Sequence, residues 1–168
     1  MDARLRTIVR YFQSCPDRKS ADLEGLARGL HPHVFALEVS AGGDSVPMLS
    51  FAHIGGRLER ELRRSALKES SGPVTPEILG TAALAALHDC ATTKTAIWLR
   101  EAATTSDQSG RVIEMAAVFL EPNVICGGIL YSPTAWFFAE SPVVKVRPLA
   151  GKPPSPGIPP SLKSVPRP

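Results

Sequence analysis

Apolar residues recur with helical spacing from the start of the chain. Leu5, Ile8, Val9 and Phe12 stand at i, i+3, i+4 and i+7, which makes them one stripe of a helix that Pro16 stops. A second helical pattern covers residues 20–30, where Ser20 is placed to cap the first turn and Leu23, Leu26 and Leu30 form the stripe. His31-Pro32 ends it, and the period changes. Val34-Phe35-Ala36-Leu37-Glu38-Val39 is rich in strand formers and leads into Ala41-Gly42-Gly43-Asp44-Ser45, whose residues accept positive φ. Residues 48–54 then read as the returning strand of a β-hairpin. Gly55-Gly56 punctuates the chain, and residues 57–64 form a charged helical turn or two, a solvated face that mixes Glu59 and Glu61 with its arginines.

Thr75-Pro76-Glu77 has the chemistry of a helix start: a cap, a proline at the first helical position and an acid facing the positive end of the dipole. One long helix is expected over residues 76–91, with an alanine-rich stripe of Ile78, Leu79, Ala82, Ala83, Ala86 and Leu87 able to lie close on a sheet. Strand-type runs follow at 95–104, 111–121 and 124–131, and their short links imply a three-stranded antiparallel meander. Gly127-Gly128 inside the last run marks a bulge or close packing by the helix. The expectation is an α+β fold: a five-stranded antiparallel sheet with helices on one face, preceded by N-terminal helices.

Composition adds bounds to this picture. The chain has 168 residues, 43% of them hydrophobic and 21% charged, which fits one folded domain plus an appendage. A domain of that size buries about 70% of its unfolded surface and needs no disulfide or structural metal to hold a core. Cys15, Cys90 and Cys126 are odd in number and widely spaced, unlike a disulfide framework or a zinc site. No apolar run reaches the ~18 residues of a membrane span. A cytoplasmic location is expected. Of the formal net charge of +3, all is carried by residues 148–168, through Lys152, Lys163 and Arg167. The neutral remainder lacks the footprint of a dedicated nucleic-acid binder. Those same residues hold eight of the sixteen prolines and read as a disordered tail, which is either a stiff linker, the favoured reading, or a docking peptide, for which Pro153 to Pro156 fits a P-x-x-P ligand. The expected organisation is a helical segment over 1–30, a domain over 31–147 and the tail over 148–168.

Several phrases resemble a known family. Tyr11-Phe12, Arg18, Asp22 before Leu23, Leu26 and Leu30, and then His31-Pro32-His33-Val34-Phe35-Ala36-Leu37-Glu38 are similar to the solitary PAS-type sensor domains common in alphaproteobacteria. Phe51-Ala52-His53-Ile54-Gly55 resembles the second strand of that family with its glycine, and residues 76–131 follow its order of a long helix and a meander. The chain departs from the family pattern at Ala52, where an arginine is usual, and at Arg60 and Arg64, where a glycine-containing turn is usual. The resemblance implies a PAS-like module that binds a small molecule or a protein partner in signalling, without chemistry of its own. It also implies a pocket between the long helix and the inner face of the sheet, lined by Phe51, His53, Leu84, His88, Trp98, Met115 and Leu130. The stripe of Leu5, Ile8, Val9 and Phe12 must be covered, either by the chain's own sheet or, as often in such domains, by its counterpart in a homodimer, which is the slightly favoured reading.

Other chemistries find less in the residues. His88, beside Asp89 near a helix end, reads first as a dipole-stabilising residue and second as a haem ligand; no cofactor is required. Cys90 reads as a buried structural thiol, and no cysteine stands in the asparagine-cysteine-arginine motif of flavin photosensors. His31, His33 and His53 lack accompanying cysteines or carboxylates and read as strand or loop residues. No nucleophile elbow, P-loop or dinucleotide fingerprint is present. The alternatives to a sensor module are a haem-binding or small enzymatic domain and a ligand-free adaptor.

Overall fold

The structure is a computed structural model that describes residues 1–15, 21–42, 46–63, 73–102, 111–133 and 147–148. Helix α1 (Ala3–Ser14) is followed by 3-10 turns at Leu23–Gly25 and His31–His33. Next come strands β1 (Val34–Ser40) and β2 (Met48–Ile54), helices α2 (Gly56–Arg63), α3 (Pro76–Leu79) and α4 (Thr81–Thr93), and strands β3 (Ile97–Ala102), β4 (Arg111–Leu120) and β5 (Val124–Pro133). The two-residue β6 (Arg147–Pro148) closes the order. The strands form one antiparallel sheet in the order β2-β1-β5-β4-β3-β6. The α+β class and the five main strands agree with the reading of the sequence.

Three local readings are corrected. Residues 21–30 do not make a full helix, and Ser20 lies outside the described residues: Asp22 caps only the short 3-10 turn Leu23–Gly25, its carboxylate accepting the Glu24 amide at 2.9 Å. The long helix is two helices, because Gly80 adopts φ 90° between them. Its amide still donates to the Pro76 carbonyl at 2.7 Å, closing α3, while its own carbonyl accepts from Leu84 and opens α4. Pro148, assigned to the tail, pairs with Ile97 at the sheet edge. The rest of residues 148–168, with the P-x-x-P stretch, lies outside the described residues, as do Trp136, Phe137 and Phe138, which the sequence marks as too apolar to be free and so expected to fold back on the sheet or to mark a partner-facing patch.

The helices are not gathered on one face. Residues of α2, α3 and α4 pack with Phe35, Leu37, Phe51, Leu99, Met115 and Ile129 on what is here called the inner face. Helix α1 packs on the outer face, where Leu5, Ile8, Val9 and Phe12 join Val34, Val118, Cys126 and Leu130. The four stripe residues are at most 3% exposed within a single chain. The expected dimer face is therefore part of the monomer's own core, because β4 and β5 are apolar on both sides and their outer face needs a cover. Two polar anchors fix the start of α1 there: the Asp2 carboxylate accepts the Arg4 amide at 2.7 Å, and the Asp2 amide donates to Glu114 Oε1 at 2.8 Å.

Candidate ligand site

The seven residues expected to line one pocket are divided by the sheet. Phe51 and Met115 lie in the inner core, and Leu84 of α4 packs against it, half-buried. Trp98 and Leu130 belong to the outer core with α1. Alternation along β3 sends Ile97, Leu99 and Glu101 inward and Trp98 outward, where its indole N–H donates to Glu114 Oε1 at 2.8 Å. Leu130 is out for the same reason, since its neighbour Ile129 is the inward residue. His53 is exposed on the outer face. A bulge causes this: Ala36 faces His53 but Leu37 faces Phe51, so Ala52 is the extra residue. The bulge turns Ile54 inward after Phe51 and leaves His53 outward.

The histidines are scattered. His31 Nε2 hydrogen-bonds the Leu26 carbonyl at 2.8 Å. His33 is buried, and burial, with Arg57 and Arg4 nearby, moves it toward its neutral form. Desolvation by the atoms around its ring, and then neighbouring His31, move His53 the same way. Among the described residues no group of three or more histidines, cysteines or acids is placed to hold a metal.

The inner layer contains polar atoms that its apolar neighbours do not explain. His88 on α4 is half-buried, and its Nδ1 is buried with no hydrogen-bond partner. Glu101 on β3 is 6% exposed, and its Oε1 also has no partner. Burial pushes the Glu101 carboxyl above the usual carboxylate range, while a hydrogen bond from the Ala83 amide in the first turn of α4 acts the other way. Sequence reasoning missed Glu101, although Ile97, Leu99 and Glu101 at i, i+2 and i+4 already put it on the apolar face. In most native interiors such atoms are paired, so each unpaired one marks a place where a partner is owed.

No family model, no curated protein and no solved structure matches the chain.

Proposed function

We propose that this chain is a PAS-type sensory or regulatory module that binds a small molecule between the α2–α4 layer and the inner face of the sheet and signals to a protein partner. The strand order β2-β1-β5-β4-β3, with the helices between β2 and β3 laid on one face, supports the fold half of this reading. The observation that carries the ligand half is the pair of buried, unpartnered atoms, His88 Nδ1 from the helical layer and Glu101 Oε1 from the sheet. With Leu5, Ile8, Val9 and Phe12 committed to the core, contact with a partner uses other surface.

The test is solvent extraction and mass spectrometry of the purified full chain, with its absorption spectrum, for the parent, His88→Ala and Trp98→Phe. A molecule that co-purifies with the parent and with Trp98→Phe, and is depleted in His88→Ala, is the expected result. Absence of any bound molecule, or equal retention by all three chains, removes the inner face as the site. A Soret band lost in His88→Ala moves the reading to haem.

A further inference from the structure

Glu101 is the last inward position of β3. The register sets it beside Ile113 of β4, with Tyr131 of β5 in the same row beyond Ile113. The row lies at the end of the sheet nearest the first turn of α4, a helix of 13 residues whose cap residue, Gly80, has no side chain to offer its free amides. Glu101 supplies what the cap lacks, through its bond to the Ala83 amide. One amide leaves most of a carboxylate's acceptor capacity unused. No basic side chain among the described residues acts on it: its environment is set by burial and the Ala83 amide. Arg100, next to it, belongs to the opposite face by alternation. The result is a carboxyl group, 6% exposed, in apolar surroundings, at the end of a helix and with Oε1 unmet.

We infer that Glu101 anchors the ligand of this site through Oε1, and that the ligand is a small, mainly apolar molecule ending in a protonated amine. The inference rests on the reading of the inner face as a ligand site and adds the class of molecule. Leu99 and Ile113, beside the carboxylate on its strand and on the next, select the apolar body. A hydroxyl would fill the acceptor and leave burial to favour the neutral carboxyl, whereas an ammonium group fills it and holds the carboxyl in its charged form, and charge-assisted bonds are roughly twice as strong as neutral ones.

Calorimetric titration of the full chain with n-hexylamine and with 1-hexanol at neutral pH tests this, in the parent and in Glu101→Gln. Hexylamine should bind the parent about ten-fold more tightly than hexanol, and the preference should vanish in Glu101→Gln with hexanol binding unchanged. A second measurement needs no variant. Lowering the pH of the parent until Glu101 is protonated should weaken hexylamine binding and leave hexanol binding as it was. Equal binding of the two probes by the parent, binding of neither, or an amine preference that survives both Glu101→Gln and acid overturns the inference. The extraction experiment decides the ligand-site reading separately, so the class of ligand can fail while the site stands.

Discussion

Cys90 shows what burial does to a single side chain. It sits on the sheet-facing side of α4, fully buried, and desolvation alone pushes its thiol from 9.0 to about 12. The folded chain therefore holds this proton more tightly than the unfolded chain does. Its contribution to stability is complete below pH 9 and is lost as pH rises from 9 toward 12. Melting temperature measured between pH 8 and 11 should fall for the parent and fall less steeply for Cys90→Ala; parallel curves would show that another group controls alkaline unfolding. The same residue was legible as a buried thiol, because it follows Ala86 and Leu87 at helical spacing. Glu101 is hard to read for the opposite reason: an acid in a strand is normally solvated, and only its place in the alternation marks it as inward.

At the scale of elements, α1 and β5 are one packing unit. Gly128 faces α1 so closely that a Cβ there would lie 2.8 Å from Ile8 Cδ1 and 3.0 Å from Leu5 Cδ2, which are ends of flexible side chains. A Cβ on Gly127 would instead meet the Ala116 carbonyl oxygen at 2.2 Å, a backbone atom that cannot step aside. Urea denaturation should rank the variants accordingly, with Gly127→Ala losing more stability than Gly128→Ala. Phe12→Ala, which empties the outer core, should cost about 3–5 kcal/mol. A Phe12→Ala chain as stable as the parent would mean that α1 is not docked as described. Of the two readings of the glycine pair, a bulge or close packing by a helix, the β4–β5 register runs through without a bulge, and close packing by a helix holds at Gly128, where the helix is α1. The stripe of α1 was legible from its spacing, whereas its cover was not, since periodicity states that a face is buried and never against what. The break at Gly80 is not visible in the sequence because Thr75-Pro76 and the alanine run beyond it both favour helix, and a single glycine between them is tolerable until it takes a positive φ.

Taken as a molecule, the hairpin and the meander followed from short links, and the α+β class came with them, whereas the pairing of β1 with β5 that joins the two is long-range and has no local signal. What stayed hidden was the two-sided burial of the sheet. In β3, β4 and β5 the outward residues Trp98, Ala116, Val118 and Leu130 are as apolar as the inward ones, so hydropathy alone gave no way to tell the sides apart, and the expected pocket mixed both. A bulge at Ala52 added a second error that no count of alternation could anticipate.

Strand β5 is paired to β1 on one edge and to β4 on the other, with α1 above it and α4 below. Water reaches its backbone only when the whole assembly opens. In deuterium the amides of β5 over residues 124–128 should thus be the last to exchange, at a rate set by global unfolding, while those of β2 at the sheet's rim exchange through local fraying. Added denaturant should accelerate the first group steeply and the second hardly at all, and residue-resolved exchange rates that showed β5 no slower than β2 would contradict the layered packing. The middle strand then serves as a clock for the fold, reporting how often the molecule comes fully apart.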